Sequence, residues 1–184
     1  MRSAIFIDGA YLNSVLVNHH HGGAVDYTRL SNYLAEGKEL LRTYYYDAPP
    51  FQSNPPTDDE RKRFADRQRF FAALTKRPKF EVRQGRCQRI RDPDAPGGFR
   101  FAQKMVDVLL SVDLVRLAST HLISEAIILT GDSDFIPAVA VAKDDGVSIR
   151  LIHSPNIREV HRDLWDKADE RVPFDGRMFD AVKR

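Results

Sequence analysis

The chain has 184 residues, 42% hydrophobic and 29% charged, with a formal net charge of +2, the proportions of a globular protein with one hydrophobic core. Its one cysteine, Cys87, excludes an internal disulfide and fits a reducing, cytoplasmic setting. No apolar run is long enough to span a bilayer, so no membrane partner is expected, and the apolar stretch before Asp8 is too short for a secretory leader.

In chain order, "SAIFID" (3–8) reads as a buried strand, and the helix that follows runs from Ala10 to about His20, where Gly22-Gly23 stops it. "DYTRLSNYLAE" (26–36) is a second helix capped by its Asp, and "ELLRTYYYDA" (39–48) is a strand ended by Pro49-Pro50. A loop (51–59) precedes a charged helix over 59–76. "KFEVRQGRCQRI" (79–90) alternates as a strand, and "RDPDAPGG" (91–98) is a turn or mobile loop. "FAQKMVDVLLSVDLVRLAS" (101–119) predicts the clearest helix, its apolar stripe at Met105, Val108, Leu109 and Val112. "EAIILTG" is a strand, 134–145 a helix, "VSIRLIHS" (147–154) a strand and 156–168 a final helix. Alternation of this kind favours a parallel sheet covered on both faces, with ligands bound beyond the carboxyl ends of the strands.

Charge is unevenly placed. Residues 61–100 hold thirteen Lys and Arg against four acids, a local +9, which leaves −7 for the rest of the chain. A basic helix-strand-loop region at about 59–100 suggests an anionic partner such as nucleic acid. Its candidate contacts are Arg61, Lys62, Arg63, Arg67 and Arg69 on the helix and Arg83, Arg86 and Arg89 beyond it. A solvated charged face is the plainer alternative.

The acids are the more specific signal. Asp8 ends an all-apolar strand, where it could simply cap the next helix. Asp107 borders the apolar stripe, and Lys104, three residues earlier, would share its helix face and form an ordinary surface pair. In "TGDSDF" (130–135), Pro137 suits the first helical turn. That makes Asp134 the N-cap and leaves Asp132 without a local explanation. If the two strands are neighbours, Asp8, Asp132 and Asp134 converge, and clustered carboxylates repel unless protonated or neutralised by a cation. Oxygen ligands of this kind suit Mg²⁺ or Mn²⁺.

"FIDG" (6–9), "KMVDVLLSVD" (104–113) and "TGDSDF" (130–135) resemble, in order, the three signature segments of the NYN domain in the PIN-like nuclease superfamily. The bacterial LabA-like group, with patterns FIDGxNL, KGVDVxLxxD and SGDSDF, is the nearest in appearance. The resemblance implies a three-layer α/β/α domain over 1–184 with a five-stranded parallel sheet. It also implies a divalent-metal site of Asp8, Asp107, Asp132 and Asp134, with Lys104 and Ser133 nearby. Tyr11 stands where the pattern usually has asparagine, and Met105 replaces a common glycine. Asn13 lies two helical residues from Tyr11, on another face, and Asp113, about 120° around the helix from Asp107, ranks as supporting.

Other motifs carry less. His19-His20-His21 point apart on a helix, Cys87 lacks a nucleophile motif, and Trp165 suits core or interface. There is no Walker-type or G-x-G-x-x-G loop. The sequence therefore reads as a metal-dependent nuclease hydrolysing phosphodiester bonds at an acidic Mg²⁺ or Mn²⁺ site, with RNA rather than DNA the expected substrate and homo-oligomerisation left open. One rival is a regulatory nucleic-acid-binding or protein-interaction module with little or no cleavage. The other is a haloacid-dehalogenase-like phosphotransferase, which would need D-x-D at the first strand, where this chain has "DGA".

Overall fold

The computed structural model describes residues 2–184. Its centre is β1 (Arg2–Asp8), whose Ile5, Phe6 and Ile7 are wholly buried because both faces of the strand are covered. Successive side chains point to opposite faces. Ala4 and Phe6 join a core with α4 (Val106–Ser119), α5 (Ile136–Asp144) and α6 (Arg162–Lys167). Ile5 and Ile7 join a second core with α1 (Gly9–His19), α2 (Tyr27–Ala35), α3 (Asp58–Thr75) and α7 (Gly176–Val182). Ile5, Phe6 and Ile7 each contribute roughly 1.5–3 kcal/mol by leaving water.

The sheet has six strands in the order β3-β2-β1-β6-β7-β8, all pairs parallel. The remaining members are β2 (Glu39–Asp47), β3 (Phe80–Gln84), β6 (Glu125–Leu129), β7 (Ser148–His153) and β8 (Glu170–Pro173). Five strands were expected. The sixth is β8, which follows a 3-10 turn (Ile157–Glu159) and the short α6 where one continuous helix over 156–168 was expected. Only Arg171 and Val172 of β8 are partly buried. With four residues and a terminal proline it has no apolar run to announce it, and its pairing with β7 is what makes it a strand.

The segment 79–90 is also not one strand. It breaks at Gly85, where a Cβ would lie 2.4 Å from the Lys104 carbonyl oxygen. Beyond that break, β4 (Arg86–Arg91) turns back through 92–98 and pairs antiparallel with β5 (Phe99–Lys104), a separate two-stranded arm. Residues 101–104, expected to be helical, belong to β5. The helix starts only after Met105, which sits in the left-handed region at φ 74°. Its phase differs as well. Val106, Leu110, Leu114 and Leu117 face the core, while Met105, Val108 and Val112 of the expected stripe are exposed. The pattern is ambiguous because this helix carries apolar residues on both faces.

A side chain in the left-handed region costs roughly 1–2 kcal/mol, and Met105 is half-exposed, so little packing offsets it. Met105→Gly is therefore expected to stabilise the fold by up to about 1 kcal/mol, seen as a higher urea midpoint, and Met105→Val to lower the midpoint. A midpoint that falls for glycine would show that the methionine side chain contributes more than its backbone costs.

Candidate active site

The chain moves from one side of β1 to the other between β3 and β6, so a crevice opens at the carboxyl ends of β1 and β6. Asp8 stands at that end of β1. It caps α1 by accepting from the Tyr11 N–H at 3.1 Å, as a cap should. Its other oxygen accepts from the Thr130 hydroxyl at 3.2 Å, and Thr130 Oγ1 in turn accepts from the Asp132 N–H at 3.3 Å. Asp132 Oδ1 accepts from the Asp134 N–H at 3.0 Å, which makes Asp132 the cap of the 3-10 turn Ser133–Phe135. This reverses the expected roles: Asp132 is the capping residue and Asp134 is not. The wholly buried Thr130 thus joins Asp8 to Asp132, and Asp132 in turn joins Asp134.

Asp107 arrives from α4, which packs against the 133–135 turn. Burial raises its pKa, and the charges of Asp132 and Asp134 raise it further. Burial likewise lifts Asp8, to about 6, against the lowering effect of the Tyr11 and Thr130 hydrogen bonds, with Asp107 adding to the rise. The acids therefore sense one another's charge. Among the described residues, however, no three His, Cys, Asp or Glu side chains converge closely enough to form a finished cation cage. Asp132 and Asp134 are exposed and have room to turn.

The pattern of charge neutralisation sets this group apart. Four carboxylates are buried: Asp8, Asp47, Asp113 and Glu125. Asp47 pairs with Arg67, Asp113 with Arg83 and Arg116, and Glu125 with Lys38 and Arg150. Of these four buried carboxylates Asp8 alone has no cationic partner among the described residues, and the less buried Asp107, Asp132 and Asp134 have none either. An all-carboxylate set without protein cations matches the ligand chemistry of Mg²⁺ or Mn²⁺.

The other expected site residues fall in several places. Ser133 lines the acidic cleft. Lys104 is exposed and closes β5, so it does not share a helix face with Asp107; Met105 interrupts the two. Asp113 is occupied by the Tyr46 hydroxyl and by Arg83 and Arg116, which makes it a tie between α4 and the sheet. Asn13 lines a different cleft, between α1 and α3. Of the basic residues, Arg61 pairs with Asp58 and Arg69 with Asp66, while Arg67 and Arg83 neutralise buried acids. Lys62 and Arg63 are exposed on α3, and Arg86 and Arg89 are exposed on the arm.

Sequence reasoning missed several residues. Thr130 reads as the tail of an apolar strand, and nothing local marks its hydroxyl as a tether. Arg158, His161 and Arg162, from the segment after β7, form a wall of the same cleft of about 670 Å³ as Asp8 and Asp132. The His161 N–H donates to the Gly131 carbonyl, which holds that wall against the turn. Tyr11 also lines the cleft and accepts from the Ser154 N–H at 2.8 Å. A Cβ on Gly131 would meet the Tyr11 ring at 2.5 Å, so the glycine permits this close packing. Behind it, the His19 ring and the Ser154 hydroxyl both bond Glu159, which gives the histidine run a structural role at this wall.

The candidate site is thus a loose set of carboxylates at the switch point of an open parallel α/β sheet. Residues 2–174 match the NYN domain, and the chain belongs to the NYN-domain family, within the PIN-like nuclease superfamily. An uncharacterized protein of Sinorhizobium fredii, y4oD, is 36% identical over 75 residues, which cover 35% of each chain; this chain spans about a third of that relative's length. A crystal structure of a protein of unknown function from Vibrio parahaemolyticus shares the fold with a TM-score of 0.65. It is 19% identical, over 100% of this chain and 96% of that one. Among the described residues no helix is long and apolar enough to cross a membrane.

Asp8 gives a pH signature in metal-free protein. Its folded pKa of about 6 lies above the ordinary 3.8, so the folded state binds the proton more tightly and stability falls as pH rises through that window. The loss amounts to about 3 kcal/mol at most, at 1.36 kcal/mol for each pKa unit. Asp8→Asn keeps the cap but cannot ionise. In EDTA it is expected to match wild type below pH 4 and to exceed it at pH 7.5. Equal differences in urea midpoint at both pH values would refute the assignment.

Proposed function

We propose that this chain is a metal-dependent nuclease that hydrolyses phosphodiester bonds, RNA in preference to DNA. The observation that carries the reading is the lack of any protein cation for Asp8 and its neighbours, in a chain that pairs every other buried carboxylate. Asp8, Asp107, Asp132 and Asp134 would hold Mg²⁺ or Mn²⁺. When bound, such an ion supplies positive charge for the scissile phosphate and acidifies the attacking water.

The chain's own contribution is placement. The Thr130 hydroxyl fixes the Asp8 carboxylate and the Asp132 backbone relative to each other. Arg158 and Arg162, which line the same cleft as Asp8, Asp132 and Tyr11, supply phosphate contacts there. The exposed cations of α3 and the arm extend the contact to flanking phosphates, which gives affinity with little sequence information. A binding module without cleavage is a second reading, favoured by the incomplete convergence of the acids.

One experiment separates them: end-labelled single-stranded RNA and DNA incubated with purified protein and Mn²⁺, Mg²⁺ or EDTA. Cleavage of RNA, faster than of DNA and only with metal, is expected. Asp132→Asn should slow it by about two orders of magnitude or more, the scale on which one preorganised charge matters to an electrostatically driven step. Mn²⁺ should raise the Tm of wild type, because the ion binds only the folded state, and should do so much less for Asp132→Asn. Binding without cleavage under every metal condition would leave the second reading.

A further inference from the structure

The β4–β5 arm buries little and is richly charged. Residues 86–104 carry Arg86, Arg89, Arg91, Arg100 and Lys104 against Asp92 and Asp94, a net of +3. The register pairs Arg91 with Phe99, Arg89 with Phe101 and Cys87 with Gln103, and by the two-residue alternation of a strand these share one face. Phe99 is 44% exposed and Phe101 61% exposed, so two large rings stand in water side by side among arginines. The Arg89 guanidinium lies 4.5 Å from the Phe99 ring centre and 5.7 Å from that of Phe51, and Phe51 packs on Phe101 at 5.4 Å. These contacts hold the rings in place while leaving much of each ring in solvent.

The same face continues into a cleft of about 580 Å³ between the arm and α3. Cys87 and Gln103 line one side and Arg63 and Arg67 the other. The arm is seated at its root: Gln103 Nε2 donates to Asp47 Oδ1 at 2.8 Å, and the Gly85 N–H donates to the Asp47 carbonyl at 2.9 Å. It leaves the carboxyl end of β3 and returns directly into α4, which carries Asp107. In a parallel sheet that places it on the same edge as the acids.

We propose that this face of the arm is a stacking platform for unpaired nucleotides: bases lie on Phe99 and Phe101, and Arg89, Arg91 and Arg63 hold the adjoining phosphates. Flat apolar rings beside unpaired guanidinium groups match a ligand that alternates aromatic bases with negative charge, and an apolar protein partner would leave those cations unmatched. A base within a duplex has its faces covered by its neighbours, so the platform selects single strands. The proposal rests on the nuclease reading and adds the substrate's form: an unpaired strand held on the arm and delivered to the acidic cleft.

The test is fluorescence anisotropy in EDTA, with labelled oligo(U), oligo(dT) and a blunt duplex of equal length. Phe99→Ala/Phe101→Ala should weaken binding to both single strands ~10-fold or more, since stacking on a protein ring is a substantial term for each base. It should leave duplex binding and the slope of log affinity against log salt unchanged, because no charge is lost. The Tyr/Tyr double variant should restore binding. Phe101→Trp adds an emitter whose fluorescence oligo(U) should quench, a readout that survives if the alanine variant misfolds. Unchanged oligo(U) affinity in a folded alanine variant, or absent quenching in Phe101→Trp, overturns the platform while the metal-dependent cleavage reading stands. Equal loss for duplex and single strands also overturns it. Failure of wild type to bind either single strand also overturns the platform, while metal-dependent cleavage remains the test of the nuclease reading.

Discussion

The hydrogen bond from the Thr130 hydroxyl to Asp8 joins the ends of β1 and β6, the central pair of the sheet, and the candidate site is arranged around it. A parallel sheet sends all its carboxyl ends to one edge, and the reversal of chain direction at β1 leaves a crevice there. The apolar run of β1 drives Asp8 into a nearly water-free position. Thr130, the Tyr11 N–H and the start of α1 then hold its carboxylate in place. Removing the threonine hydroxyl would leave Asp8 still buried but no longer tied to the turn that carries Asp132 and Asp134.

Charge is handled differently in the two halves of the molecule. Away from the crevice, buried acids are neutralised within the fold: Asp113 by two arginines, Asp47 by Arg67, Glu125 by Lys38 and Arg150. A buried carboxylate left alone is costly, and the usual remedy is a nearby guanidinium or ammonium group. At the crevice that remedy is withheld, and the cost appears instead as the raised pKa values of Asp8 and Asp107. Arg158 and Arg162 line the same cleft as Asp8 and Asp132 without pairing with these acids. The cleft therefore carries both signs of charge, a combination suited to a cation and a phosphate together.

The basic stretch of the sequence resolves into three kinds of residue. Arg67 and Arg83 serve the fold, Arg61 and Arg69 are paired within α3, and Lys62, Arg63, Arg86 and Arg89 face solvent. A run of positive charge in one dimension thus overstates the cations available to a polyanion. Those that remain free are divided between one helix and an arm, with a cleft between them.

Much of the architecture follows from local pattern. The buried strands 3–8, 39–48, 125–131 and 147–154, the helices around them and the parallel arrangement are readable because a strand covered on both faces must be apolar throughout. The positions of Asp8, Asp107, Asp132 and Asp134 at element ends are readable for the same reason, since a carboxylate marks where such a run stops. What local pattern could not supply are features whose cause lies far along the chain. β8 is a strand because β7 offers it an edge, and residues 101–104 are extended because they pair with 86–89. The α4 stripe was read in the wrong phase because both its faces are apolar and only the sheet selects one. Thr130 and the Arg158–Arg162 wall gain their roles from neighbours 122 residues away in one case and lining the same crevice in the other. Composition and periodicity determine which segments must be buried, whereas hydrogen-bond partners between remote segments are settled only when packing brings them together.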